Sequence, residues 1–188
     1  MRVVVGSKNP DKTAEVLAVL QRVLPGLEPI EGLDWPDVVE TGATLEENAV
    51  LKARAVAGHT GHPAVADDTG LEVDALGGAP GVHTARYAGE DATYADNRQA
   101  LLQAMKGTTD RAARFRTVVA LVHPDGRMVT AEGVLEGEIA VAERGDGGFG
   151  YDPVFEVGGR TLAEIGEEEK NLMSHRARAL EALAERLR

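Results

Sequence analysis

The sequence predicts an α/β domain built on a mixed sheet. Three observations carry this expectation: strand and helix patterns alternate through the first half, alternating hydrophobicity opens a β meander in the second, and an amphipathic helix closes the chain. With 188 residues the chain has the size of a single domain, 1–188. Such a domain buries roughly 70% of its unfolded surface.

The first strand is Val3-Val4-Val5, which runs directly into Gly6-Ser7-Lys8-Asn9-Pro10-Asp11-Lys12. Asn9 is a favoured N-cap, Pro10 suits the first helical position and Asp11 complements the positive end of the helix dipole. A helix therefore begins at Pro10. Val16, Leu17, Leu20, Val23 and Leu24 give it one buried stripe, and Pro25-Gly26 stops it. Its start offers backbone N–H groups, the Ser7 hydroxyl and the Lys8 and Lys12 ammonium groups, which together make a phosphate cradle. Taken alone, the same segment is an ordinary strand-to-helix turn with solvated lysines.

Thr44-Leu45-Glu46-Glu47 has the form of a capping box and starts a second helix, expected to run through Leu51 and Val56 to Gly58. Lys52 lies inside it among Ala and Val residues, either as a snorkelling surface lysine or as a functional cation. His59 and His62 read as loop histidines. A short buried strand over 63–66 is expected to end at Asp67-Asp68-Thr69-Gly70 before Leu71-Glu72-Val73 resumes the alternation. Carboxylates beside a buried strand are costly unless paired, hydrogen-bonded or metal-bound, so this pair is the best catalytic candidate; the alternative is a solvated Asp turn. Glu40, in Val38-Val39-Glu40-Thr41-Gly42, can join Asp68 as an oxygen ligand for Mg2+.

Gly77-Gly78-Ala79-Pro80-Gly81 reads as a loop and 93–105 as a third helix. Over 113–123, Phe115, Thr117, Val119 and Leu121 alternate with Arg116, Val118, Ala120 and Val122. Pro124-Asp125-Gly126 turns the chain, and strands over 128–134 and 135–141 continue the meander. Gly145-Asp146-Gly147-Gly148-Phe149-Gly150 formally satisfies G-x-G-x-x-G, but Tyr151-Asp152-Pro153 follows where a helix would have to begin. A pliable loop presenting Phe149 to a planar ligand is the better reading; the alternative is that Phe149 and Tyr151 pin the loop to the core. A short strand is expected near 153–157. Ser174 then caps a last helix that buries Ala177, Leu180, Leu183, Ala184 and Leu187, with His175 and Arg176 in a first turn where positive charge opposes the dipole.

Composition narrows the function classes. A net charge of -11, from 20 Lys+Arg against 31 Asp+Glu, opposes a nucleic acid or an anionic membrane as partner. A small phosphorylated molecule is still compatible, given converging cations or a bridging divalent metal. There is no cysteine, hence no disulfide and no thiolate site. No signal-peptide pattern and no apolar run of membrane-spanning length is visible, and the expectation is a soluble, cytoplasmic protein.

Nine motifs stand in order: Ser7-Lys8-Asn9-Pro10-Asp11-Lys12, Glu40-Thr41-Gly42, Glu47-Asn48-Ala49, Lys52-Ala53, Ala66-Asp67-Asp68-Thr69-Gly70, Gly77-Gly78-Ala79-Pro80-Gly81, Phe149-Gly150-Tyr151-Asp152-Pro153, Glu169-Lys170-Asn171 and Ser174-His175-Arg176. Together they resemble the inosine triphosphate pyrophosphatase family over nearly the whole chain. The resemblance implies an elongated mixed β-sheet flanked by helices, with two lobes around a central cleft, and a homodimer. It implies that Ser7, Lys8, Asn9, Pro10, Asp11 and Lys12 hold a triphosphate, that Glu40 and Asp68 carry Mg2+, and that Asp68 is also the general base. Lys52 and Thr69 would contact the nucleotide, and Phe149, Gly150, Tyr151 and Asp152 would enclose the base. Lys170 would add a contact, and His175 with Arg176 would read the purine edge. The implied reaction converts ITP, dITP or XTP to the monophosphate and pyrophosphate. The alternatives are a pyrophosphatase for dTTP or UTP, and a nucleotide sensor without catalysis.

Overall fold

The computed structural model describes residues 1–188. Its strands are β1 (Arg2–Val5), β2 (Glu28–Pro29), β3 (Ala64–Val73), β4 (Pro80–Gly81), β5 (Ala112–Val122), β6 (Met128–Ile139), β7 (Phe155–Val157) and β8 (Arg160–Thr161). Its helices are α1 (Pro10–Val23), α2 (Leu45–Thr60), α3 (Tyr94–Ala104), α4 (Glu167–Met173) and α5 (His175–Arg186). The strands form one sheet in the order β2-β1-β3-β5-β6-β7-β8, with β4 paired to β3. The sheet is mixed: β1 is parallel to β2 and β3, whereas β4 on β3, β7 on β6 and β8 on β7 are antiparallel. No helix is long and apolar enough to cross a membrane.

The chain divides into two compact units, each with its own core. The first comprises Met1–Asp68, Thr117–Val134 and Ser174–Arg188, the second Thr69–Arg116 and Leu135–Met173.

In the first unit, β1 buries Val3 and Val5 against Val16, Val19 and Leu20 of α1 and against Leu180 and Leu183 of α5. Asn9 caps α1, its side chain accepting from the N–H groups of Asp11 and Lys12 at 2.9 and 3.3 Å. The reciprocal capping box of α2 is present: Glu47 N–H donates to Thr44 Oγ1 at 3.1 Å and Thr44 N–H to Glu47 Oε2 at 3.3 Å. Gly58 does not end this helix. It continues to Thr60, with His59 in its last turn, and Gly61, at φ 70°, supplies the left-handed residue that closes it. Ser174 caps α5 by accepting from Ala177 N–H at 3.1 Å.

Two strand expectations need correction. Asp67 and Asp68 do not lie at a strand end: β3 runs unbroken from Ala64 to Val73, because partners described below compensate both carboxylates inside the strand. Residues 128–141 are not two strands but one, β6, ending at Ile139. Gly133 resembles an interruption in the pattern, yet it is a packing device. A Cβ there would come within 2.2 Å of His175 O and 2.3 Å of Ala179 N, so α5 rests its backbone directly on the strand.

In the second unit, Leu71 and Val73 pack with Leu101, Met105, Phe115, Leu135, Ile139 and Phe155. The helix expected over 93–105 is present as α3, capped by Thr93 with Asp96 as its return partner. Pro80–Gly81, expected as loop, pairs with β3 as the short β4. The helix α4 has no counterpart in the sequence reading, since Glu167-Glu168-Glu169 looks like a solvated charge run.

Candidate active site

The first unit holds a cavity of about 280 Å³ lined by Gly6, Ser7, Lys8, Asn9, Lys12, Trp35, Asp37, Val38, Glu40, Lys52 and Asp67. It stands at the β1–α1 junction. Gly6 is needed there because a Cβ would press on Ala66 and Val56, each at 3.3 Å. The helix start differs from the expected ring of unsatisfied amides. Asn9 already accepts from Asp11 and Lys12, and Asn9 N–H itself donates to Ser7 Oγ at 3.2 Å. Three lysines, Lys8, Lys12 and Lys52, and three carboxylates, Asp37, Glu40 and Asp67, face the cavity. Pro10 and Asp11 build the helix start without lining the cavity.

The three lysines differ in their environments. Lys8 is exposed and paired with Asp37 at 2.7 Å, which raises its pKa. Lys52 bridges two carboxylates, 3.2 Å from Glu40 Oε1 and 3.2 Å from Asp68 Oδ1. Burial alone would lower its pKa, but Asp68, Asp67 and Glu40 outweigh that and hold it protonated. Lys12 is half-buried and makes no ion pair of its own. Burial, together with the nearby Lys52 and Arg176 charges, pulls its pKa down against the opposing effect of Asp67. An anion brought to Lys12 would offset the burial and the neighbouring positive charges that pull its pKa down.

The neighbouring aspartates of β3 point to opposite faces of the strand and meet different partners. Asp68 accepts from Asn48 Nδ2 and from Lys52 Nζ, each at 3.2 Å. Asn48 and Lys52 are four residues apart on one face of α2. Asn48 is in turn fixed through its Oδ1, which accepts from Gly42 N–H at 2.8 Å; a Cβ on Gly42 would lie 2.6 Å from that oxygen. Burial pushes the Asp68 carboxyl up, Lys52 pulls it down and Glu40 pushes it up again, so it stays above the ordinary carboxylate value.

Asp67 behaves oppositely. Burial pushes it up, but Arg176, Lys12 and Lys52 more than compensate and hold it well below the usual range. Arg176 is 2% exposed; its Nε and Nη2 donate to Asp67 Oδ2 at 3.2 and 3.1 Å, and its Nη1 to Glu15 Oε2 at 2.7 Å. Ser174 Oγ donates to the other oxygen of Glu15 at 2.9 Å. These contacts explain how a cation is tolerated in the first turn of α5. His175 is buried, with Nδ1 2.6 Å from Thr117 Oγ1. Glu15, Asn48 and Thr117 are site-supporting residues that the sequence reading did not assign. The first two were findable, as polar positions three and four residues from Lys12 and Lys52 on helix faces that bury apolar neighbours.

In the second unit, Thr69 continues β3, half-buried. Lys170 and Asp152, both nearly fully buried, pair at 2.7 Å, and Asp152 Oδ2 also accepts from Phe149 N–H at 2.8 Å. Lys170 Nζ lies 4.6 Å from the centre of the Phe149 ring, a cation–π contact. Tyr151 turns into the core and donates from its hydroxyl to Thr84 O at 2.8 Å. Gly148, at φ 68°, leaves the space that Asp152 fills: a Cβ there would come within 2.1 Å of its carboxylate.

The chain belongs to the Ham1 family, whose model matches residues 3–186. Among its relatives, the dITP/XTP pyrophosphatase of Elusimicrobium minutum is 46% identical over 198 residues, covering 100% of both chains. That of Syntrophobacter fumaroxidans is 49% identical over 185 residues, covering 94% of this chain and 78% of the relative. The Ham1 protein of Coxiella burnetii superposes with a TM-score of 0.87 at 44% identity, covering 100% of this chain and 98% of that one.

Proposed function

We propose that this chain hydrolyses the non-standard purine nucleoside triphosphates ITP, dITP and XTP to the monophosphate and pyrophosphate. The observation that carries the proposal is the cluster Glu40–Lys52–Asp68 beside a lysine-lined cavity whose size suits a polyphosphate tail. Chain-long similarity to proteins named dITP/XTP pyrophosphatase supports it.

In this reading, Lys12 and Lys8 hold the triphosphate, Lys8 exchanging Asp37 for a phosphate oxygen. Asp68, held by Asn48 and Lys52, takes a proton from water as the water oxygen bonds to the α-phosphorus. The bond from the α-phosphorus to the bridging oxygen breaks, and pyrophosphate leaves. A carboxyl above its ordinary pKa is a better base at neutral pH than a solvated one. Lys52 neutralises charge on the departing group.

Glu40 and Asp68 are hard oxygen donors approaching one cation, and Asp68 is raised partly by the charge of Glu40, so the pair suits Mg2+. Bound there with substrate, Mg2+ would neutralise developing phosphate charge. Phe149 stacks on the base, with Lys170 behind the ring. His175 reads the purine edge, while Arg176, whose donors go to Glu15 and Asp67, holds Asp67 and the start of α5. A 6-amino group in place of the 6-keto oxygen leaves a site donor unpaired, and that mismatch rejects ATP. The reading also includes a homodimer, as the family resemblance implies, and the cytoplasmic location expected from the sequence.

Pyrophosphate release across ITP, dITP, XTP, ATP, dTTP and UTP tests the proposal. Turnover of the first three with Mg2+, and none with EDTA, is expected. Preference for dTTP or UTP, or binding without turnover, would overturn it.

A further inference from the structure

The Phe149 ring stands on a glycine-rich segment, whose backbone has more freedom to lose than any other composition would give it. Gly145, Gly147, Gly148 and Gly150 surround it, three of them at φ 82, 68 and 60°. A ring on such a backbone loses freedom each time it orders against a ligand, and affinity falls accordingly.

One helix face counters this. Tyr94 and Arg98 are four residues apart on α3 and so share a face. The Tyr94 ring lies 6.2 Å from the Phe149 ring, centre to centre, with 39° between the planes, within the range of favourable tilted pairs. Arg98 Nη1 donates to Gly150 O at 3.0 Å, and Arg98 Nε pairs with Glu143 at 3.1 Å, so α3 grips the loop on both sides of the ring. The core does not account for Tyr94, which is 41% exposed, while Asn97 and Leu101 are the buried residues of the helix.

We propose that Tyr94 is a positioning residue for Phe149: α3 holds the ring in its stacking orientation before ligand arrives, and Tyr94 supplies the contact that fixes its plane. This rests on the reading that Phe149 stacks on the base. The ring matters and the hydroxyl does not.

The test uses Tyr94→Ala, Tyr94→Phe, Phe149→Ala and the double variant Tyr94→Ala/Phe149→Ala, with thermal melting as a folding check. Tyr94→Ala raises KM for ITP about three- to tenfold with kcat unchanged. It leaves inhibition by inorganic tripolyphosphate, the tail without the base, as in the parent protein. Tyr94→Phe restores the parent KM. In the Phe149→Ala background the Tyr94→Ala effect disappears, the coupling expected of residues acting through one contact. An unchanged KM in Tyr94→Ala while Phe149→Ala raises it, or an equal rise in both backgrounds, overturns the role of Tyr94 alone. Should Phe149→Ala leave KM for ITP unchanged, the stacking reading falls and this inference with it.

Discussion

In the first unit the buried charges and the side chains that hold them stand on regular elements: Glu15 on α1, Asn48 and the half-buried Lys52 on α2, the two aspartates on β3 and Arg176 on α5. In the second, a single partly exposed ring stands on a glycine-rich loop, with one buried ion pair beneath it. The difference follows from what each must do. A buried charge without its partner is expensive, so its position must be fixed from several directions at once. A ring that stacks on a planar ligand needs only its plane, which contacts to a glycine-rich loop can supply.

Five variants sharpen or break this contrast. The largest effect is expected of Asp68→Asn, which keeps the shape of the side chain but removes the proposed base. Turnover of ITP at saturation falls by about a hundredfold or more while the melting temperature stays near that of the parent, read by pyrophosphate release and calorimetry. Unchanged turnover would remove Asp68 from the chemistry.

Next come the buried cations. Arg176→Met strands Asp67 and Glu15 and lowers stability by about 3–5 kcal/mol in urea unfolding. Lys170→Met costs about 1–3 kcal/mol, because Asp152 keeps the Phe149 N–H. Equal costs would erase the distinction between the units.

A smaller effect separates the two by pH. Burial, and to a lesser degree Tyr87, pushes the Tyr151 hydroxyl above its ordinary 10.0. A raised folded pKa gives stability that is complete below pH 10 and declines as pH climbs toward the folded value, since the unfolded chain ionises first. Urea unfolding across that range shows a steeper loss for the parent than for Tyr151→Phe. Parallel curves would mean that Tyr151 ionises without opposing the fold. Smallest of all, Lys8→Ala leaves the melting temperature unchanged, because its partners Asp37 and Asp34 are solvent-exposed. A clear drop in calorimetry would make that pair structural.

Local chemistry was legible in the sequence. The Asn9, Thr44 and Ser174 caps each stand where hydroxyl, amide and carboxylate spacing puts them, since a cap is satisfied within a few residues of itself. The course of β3 was not, because Asp67-Asp68-Thr69-Gly70 has the composition of a turn. It stays extended only through Arg176, 109 residues away, and through Asn48 and Lys52. β6 was read as two strands meeting between Val134 and Leu135, whereas the chain runs through that point without a break. Of the candidate site, the lysines and carboxylates brought together in the first unit were named from sequence. Glu15 and Thr117, whose partners are remote, were not.

The bare contact of α5 with Gly133 has a genetic corollary. Any single-base missense change in a glycine codon introduces a side chain, so the code offers no gentle replacement at this position. An allele altered there wedges the closing helix away together with Ser174, His175 and Arg176. In a cell it would register as vanished protein rather than as an enzyme with relaxed taste in bases.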